Sequence, residues 1–330
     1  MSELRQNLVS GDWIISATGR AKRPKDLVKK KKPRVRVPKT VCPFEDLEKS
    51  GNLPIELFPP GENWRIAVIS NKFPILSPKI SCADETKRGL YSVIDGVGHH
   101  ELVITRDHDK NLSQLTKKDS AELFRVFKHR LTVFSEDPCS DYCSLFHAWG
   151  PTAGGTVYHP HYQMLTLPIL PPDVRKSLEG SVRYARKNNK CVHCVMLAYE
   201  KRHKKRIVYE NADAIAIAPF SSKQPFEIRI FPKKHEARFE KTDDKILAGV
   251  ADVLSFSLRR VKEKLADPDY NFFLHTAPFR KAEEYDMYHW HMEVVPKTSL
   301  LGGFEWSTGI DVNVIDPDEA AKFLRVAKRK

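Results

Sequence analysis

Two short segments carry the residue types that phosphoryl-transfer chemistry needs, His159-Pro160-His161-Tyr162-Gln163 and His289-Trp290-His291-Met292-Glu293. A neutral imidazole can attack a phosphorus centre, hold the group as a phosphoramidate and release it, which splits one difficult displacement into two easier ones. In an extended segment alternate side chains share a face, so His159, His161 and Gln163 project together, as do His289, His291 and Glu293. Gln163 then stands where its carboxamide can donate to a non-bridging phosphate oxygen beside His161. Immediately upstream, Gly150-Pro151-Thr152-Ala153-Gly154-Gly155-Thr156 reads as a glycine-rich turn. Its N–H groups, those of Gly154 and Gly155 included, and the Thr156 hydroxyl are expected to cradle that phosphate.

A second set of side chains reads as metal ligands. Cys191 and Cys194 form a C-x-x-C, and His235 with His289 completes a Cys2His2 set suited to tetrahedral zinc. The competing reading is two ordinary cysteines and two structural histidines. By analogy the first half offers Cys42, His108 and His159, with Glu45 where the second cysteine would fall; a carboxylate can ligate zinc, and loss of that metal is the alternative. Four protein ligands leave no open position, so zinc would be structural in both places. Cys82, Cys139 and Cys143 are expected to be packing residues.

These sets repeat along the chain. Each copy runs from a Cys-containing start (Cys42 or Cys191) through apolar strand-like runs to a middle histidine and then to the terminal pair. His108 and His159 lie 51 residues apart, His235 and His289 54. Between these marks lies one long amphipathic stretch in each copy, 117–134 and 243–265, with apolar residues at helical spacing. Each half therefore reads strand, strand, helix, strand. The expected fold is α+β: two histidine-triad-like repeats, each a mainly antiparallel half-barrel sheet with a packed helix, divided as 1–175 and 176–330.

Bulk properties fit this frame. The 330 residues are 41% hydrophobic, 10% aromatic and 29% charged, as in an ordinary globular protein, and no apolar run has the length of a membrane span. The polar start MSELRQNLVSGDWIIS lacks a secretory pattern, so a cytoplasmic chain with reduced thiols is expected. The net charge of +13 and the basic run including Lys29 to Lys32 invite a nucleic-acid reading. The interspersed prolines Pro24, Pro33 and Pro38 favour an irregular solvated segment instead, and a phosphorylated small substrate accounts for a positive excess equally well.

Taken together, G-x-x-A-G-G-T-x-x-H-P-H-x-Q resembles the active-site signature of the galactose-1-phosphate uridylyltransferase branch of the histidine-triad superfamily. Arg20-Ala21-Lys22-Arg23-Pro24 resembles the family's R-x-x-R-P, and Asn71-Lys72-Phe73-Pro74 its N-K-F-P. In the second half His275-Thr276-Ala277-Pro278, Tyr288-His289-Trp290-His291 and Gly303 to Gly309 follow the family's order. The resemblance implies His161 as the nucleotidylated nucleophile, Gln163 as its partner, His159 serving a metal, and Arg20, Arg23, Asn71 and Glu305 as substrate contacts, Glu305 having a capping role as its alternative. His291 is left to contact substrate or a further metal. It also implies ping-pong transfer from a nucleotide sugar to a sugar 1-phosphate, and a homodimer. Two departures stand out: Ala148 replaces the usual Asn, and Tyr158 replaces a small residue. An ADP-glucose or dinucleoside polyphosphate phosphorylase shares the same histidine, and an inactive zinc-stabilised nucleotide-binding protein is the reading from outside enzymology.

Overall fold

The computed structural model describes residues 2–20 and 34–325. In chain order a hairpin of β1 (Glu3–Gln6) and β2 (Trp13–Ser16) precedes β3 (Pro54–Phe58) and β4 (Ile66–Ser70), a hairpin of β5 (Glu85–Arg88) and β6 (Tyr91–Ile94), and β7 (His100–Thr105). Then come α1 (Lys117–Glu136), β8 (Tyr142–Trp149), β9 (His161–Leu167), α2 (Pro172–Asn188) and α3 (Val192–His203). The second half continues with β10 (Ile207–Glu210), β11 (Ala214–Ile217), β12 (Ile228–Pro232), α4 (Asp244–Lys264), β13 (Tyr270–His275) and β14 (His291–Pro296). It closes with α5 (Gly303–Thr308), β15 (Val312–Asn313) and α6 (Pro317–Leu324).

Ten strands form one sheet in the order β10-β11-β12-β14-β13-β8-β9-β7-β4-β3. Every pairing in it is antiparallel, as the short connections require. The two halves contribute the same arrangement: β3, β4, β7, helix, β8, β9 matches β10, β11, β12, helix, β13, β14. They meet where β8 pairs with β13, Phe272 opposite His147. Each repeat thus has five strands, more than apolar spacing alone predicts. β8 and β13 escape a periodicity reading because bulky side chains occupy both of their faces (Leu145, Phe146 and His147; Phe272 and Phe273).

Helices α1 and α4 lie together on one face. Thr116 caps α1 by accepting from Asp119 N–H, and Leu123, Phe124, Phe127, Leu131 and Phe134 then fall on one helical stripe. Leu247, Val250, Leu254, Leu258 and Val261 do the same on α4. Their apolar faces share one continuous core with Val68, Val103, Met164, Ile230 and Val294 from the sheet. On the other face Cys42, Phe44, Leu47 and Trp64 cover Ala67, Ile69, Leu102 and Ile104. Leu197 of α3 covers Ile215, Ile217 and Phe231 in the equivalent place.

Two expectations about cysteines are corrected, packing roles for Cys82 and Cys139 and reduced thiols throughout the chain. Cys143 is fully buried packing, but Cys82 and Cys139 are joined as a disulfide across 57 residues of chain, tying the segment before β5 to the turn after α1. Thiol spacing could not reveal this pair, because the two residues meet only when the 71–99 segment folds back against the C-terminal end of α1, where His99 bonds Asp137. Among the described residues no helix is long and apolar enough to cross a membrane.

Candidate functional site

The first histidine segment sits at the start of β9, on the face opposite α1. His161 is 7% exposed, and Phe44 packs edge-on against its ring at 5.4 Å. Its Nδ1 lies 2.9 Å from the main-chain oxygen of His159. A carbonyl only accepts, so Nδ1 carries the proton and Nε2 keeps its lone pair. Burial lowers the imidazole pKa, which keeps the ring neutral. Behind the strand His147, buried on the helix side, donates from Nδ1 to the carbonyl oxygen of His161 at 2.6 Å. Gln163 lies on the same face as His161, its Oε1 3.0 Å from His100 Nε2 on β7. His100 also approaches Asn71, whose Nδ2 is 3.0 Å from the same ring nitrogen. Neither His147 nor His100 is legible as a site residue in the sequence. The one available signal is an unexplained histidine inside each strand segment.

The glycine-rich turn is closed by hydrogen bonds of its own. Gly150 and Gly154 adopt φ of 88° and 90°, which side-chain-bearing residues rarely adopt. Gly155 has no room for a side chain, since a Cβ there would lie 2.5 Å from Ala148 O. The N–H groups of Ala153 and Gly155 donate to Gly150 O, that of Gly154 to Pro151 O, and that of Thr152 to Asp269. Gly154 and Gly155 therefore shape the turn with their N–H groups already engaged. Thr156 lines a cavity of about 510 Å³ with Trp149, Tyr158 and Arg34, whose guanidinium lies 4.5 Å from the centre of the Trp149 ring.

Both metal sets assemble. In the first, Cys42, His108 and His159 bring their ligand atoms within 4.8 Å of one another. Glu45 Oε1 lies 3.1 Å from His108 Nδ1 and 3.5 Å from His159 Nδ1. His108 Nε2 donates to Val37 O and His159 Nε2 to Thr105 O, so both Nδ1 atoms turn lone pairs toward the carboxylate. Glu45 Oε1 and His108 Nδ1 are buried without a hydrogen-bond partner. Converging acceptors with no proton between them are what a cation would satisfy, and the backbone-anchored Nε2–H groups are the usual outer support of such ligands.

The second set, Cys191, Cys194, His235 and His289, repeats the plan. Cys194 Sγ is 3.4 Å from His235 Nδ1 and 3.5 Å from His289 Nδ1. The Nε2 atoms of the two histidines donate to Asp286 O and Pro232 O. Thr105 and Pro232 hold equivalent positions three residues before the middle histidines, so the repeat extends to the atoms behind the ligands.

At the position equivalent to His161, the second repeat has diverged. His291 takes the place of His161, its Nδ1 3.2 Å from His289 O, but Glu293 stands where Gln163 does. Arg229 on β12 replaces Leu102 and bonds Glu227 at 2.9 Å and Glu293 at 3.1 Å. Burial raises the Glu227 carboxyl to about 7, with repulsion from Glu293 adding to it. Burial also pushes Glu293 upward, but the Arg229 charge outweighs it and holds that carboxyl at about 2. His275, His291 and Glu293 could also group around a cation, although Arg229 already neutralises the carboxylate. These residues line a separate cavity of about 270 Å³. β8 and β13 lie between β9 and β14, so roughly 14 Å, three strand spacings, separates His291 from His161.

Of the remaining expected contacts, Arg20 is exposed at the end of the N-terminal segment, and Arg23 lies outside the described residues. Asn71 stands beside His100 and accepts from Phe73 N–H. Glu305 caps α5, its carboxylate accepting from Gly302 N–H at 2.9 Å.

Comparison with known proteins agrees with this architecture. The profile of a family described as a domain of unknown function, DUF4921, matches residues 83–328. ADP-glucose phosphorylase of Arabidopsis thaliana is 33% identical over 98% of this chain and 92% of its own. Galactose-1-phosphate uridylyltransferase of Thermotoga maritima is 26% identical over 98% of both. The crystal structure of the Arabidopsis phosphorylase with bound ADP-glucose superposes with a TM-score of 0.83 over 100% of both chains, at 28% identity. With its two matched five-strand repeats and a histidine pair on each, the chain belongs to the galactose-1-phosphate uridylyltransferase family of nucleotidyltransferases.

Proposed function

We propose that His161 is the nucleophile of a two-step nucleotidyl transfer from a nucleotide sugar. The observation that carries this reading is the backbone-anchored Nδ1–H of His161, which supports a free Nε2 lone pair on a neutral ring. In the first step Nε2 bonds to the α-phosphorus and the bond to the sugar phosphate breaks. Gln163 donates to a non-bridging oxygen as negative charge develops there. In the second step an acceptor phosphate oxygen attacks the same phosphorus and His161 leaves as the neutral base.

ADP-glucose as donor and inorganic phosphate as acceptor are favoured by the greater identity to the Arabidopsis phosphorylase. The second reading, uridylyl transfer from UDP-glucose to a hexose 1-phosphate, has the support of the Thermotoga relative. Two structural zinc ions belong to the same proposal, one held by Cys191, Cys194, His235 and His289 and one by Cys42, Glu45, His108 and His159, with thiolate and imidazole donors of the type zinc prefers. So do a cytoplasmic location, the 1–175 and 176–330 division of repeats and a homodimer, the last supported by the exposed Phe73, Ile75, Leu90, Tyr91, Leu300 and Trp306.

Intact-protein mass spectrometry after mixing with each nucleotide sugar, without acceptor and at non-acidic pH, tests the reading. An AMP increment from ADP-glucose that is absent in His161→Ala supports the phosphorylase. A UMP increment from UDP-glucose moves the assignment to uridylyl transfer, and no adduct from either overturns the nucleophile.

A further inference from the structure

We infer that His100 is a positioning residue for the transfer, setting which end of the Gln163 carboxamide faces the phosphate; this rests on the reading of His161 and Gln163 above. A glutamine beside a phosphate helps only if its NH2 points there, because its oxygen would repel the phosphate charge. Rotating the amide by half a turn interchanges the two at almost no steric change, so something must fix the rotamer.

The contacts around His100 do so. The ring is 5% exposed at the start of β7. Ile75 N–H donates to His100 Nδ1 at 3.1 Å, so in the neutral ring the proton resides on Nε2. That Nε2–H points at Gln163 Oε1, 3.0 Å away, and only an oxygen can accept it. The Gln163 NH2 is left on the other side, with no hydrogen bond among the described residues drawing it into the protein. Asn71 Nδ2 lies 3.0 Å from Nε2 and 3.4 Å from Nδ1; a protonated nitrogen cannot accept, so its N–H is directed to the Nδ1 lone pair that Ile75 N–H also uses. The Asn71 amide cannot reverse either, because its Oδ1 accepts from Phe73 N–H at 2.9 Å. One chain of three bonds, Ile75 N–H to Nδ1, Nε2–H to Oε1, and NH2 to phosphate, gives each of these groups a partner of the right kind.

The other repeat lacks this device. Glu227 occupies the place of His100 and Glu293 that of Gln163, with Arg229 between their carboxylates. That set offers a phosphate beside His291 no equivalent carboxamide donor.

The test measures single-turnover formation of the nucleotidyl adduct, by mass spectrometry, in His100→Phe, His100→Gln, Gln163→Ala and the double variant His100→Phe/Gln163→Ala. His100→Phe is expected to slow adduct formation by about tenfold or more with nucleotide-sugar affinity nearly unchanged, and His100→Gln, which keeps a donor at similar reach, to restore most of the rate. In the Gln163→Ala background the His100→Phe penalty should vanish. A penalty of full size in that background, or a wild-type rate in His100→Phe, overturns the proposal. The ring tautomer, read by nitrogen-15 NMR and identified by the signal lost in His100→Gln, tests the bond without turnover: an Nδ1-protonated His100 overturns it and an Nε2-protonated one supports it. If the wild type forms no adduct from either nucleotide sugar, the nucleophile reading fails, and the tautomer still decides whether His100 orients Gln163.

Discussion

His147 on β8 donates its Nδ1–H to the main-chain carbonyl of His161 on β9, 2.6 Å away, from a site 1% exposed on the opposite face of the sheet. The strand that presents His161 is thereby held from behind by a neutral imidazole. Burial lowers the His147 pKa to about 3. The unfolded chain takes up this proton as pH falls below about 6.5, whereas the folded protein refuses it until near 3. The stability tied to His147 is therefore complete above pH 6.5 and declines between 6.5 and 3. Denaturant unfolding should show the wild type losing roughly 2 kcal/mol more between about pH 7 and about pH 5 than His147→Phe does. Equal losses in both proteins would remove His147 as a titrating group.

The two metal sets should separate under mutation. Metal analysis of the purified protein is expected to give two zinc equivalents, falling to one in Cys191→Ser and, independently, in Glu45→Ala. Glu45→Cys should retain both, because it completes the same Cys2His2 set seen in the second repeat. Each loss should lower thermal stability, since binding free energy at a closed site is folding free energy. Two equivalents persisting in Glu45→Ala would show that the carboxylate is not a ligand.

Gln163→Ala should leave metal content and fold intact while slowing nucleotidylation of His161 by about a hundredfold, the scale for losing one donor to developing charge. A rate within a factor of two of wild type in a rapid-mix experiment would exclude Gln163 from the transition state.

Gly155→Ala adds a single methyl carbon, which would lie 2.5 Å from Ala148 O and 3.0 Å from Gly150 N. Both are backbone atoms, so the turn must open. The expected result is a large loss of adduct formation with unchanged zinc content; an unchanged rate would show that the turn does not position the nucleophile.

In the second repeat, Arg229→Met leaves Glu227 and Glu293 buried side by side without their cation. Breaking such a pair costs about 3–5 kcal/mol, whereas removing all three charges together costs far less. Urea unfolding of Arg229→Met and of the triple variant Arg229→Met/Glu227→Gln/Glu293→Gln should therefore differ in that order. A single variant as stable as the wild type would contradict the buried cluster.

Much of this protein is local and therefore readable along the chain. The 51- and 54-residue intervals between histidines mark the repeat, because each repeat must traverse the same helix and strands to return to its cysteine and histidine cluster. The stripes of α1 and α4 follow from 3.6-residue spacing, and the shared face of His161 and Gln163 from the two-residue period of a strand. The partners of those residues are another matter. That β8 would join β13 and fuse ten strands into one sheet depends on edges meeting, which no periodicity encodes. The Cys82–Cys139 bond, the His147 bond to His161 and the His100 bond to Gln163 join residues separated by 57, 14 and 63 positions, across strand pairs or folded-back segments. The glycine turn is plain in the sequence, but its bonding is fixed only in three dimensions, where the N–H groups of Ala153, Gly154 and Gly155 close upon its own carbonyls and that of Thr152 reaches Asp269. Composition and spacing determined which side chains could do chemistry here, and the tertiary structure decided which atoms of those side chains are left free to do it, since hydrogen-bond partners are assigned only when distant strands come together.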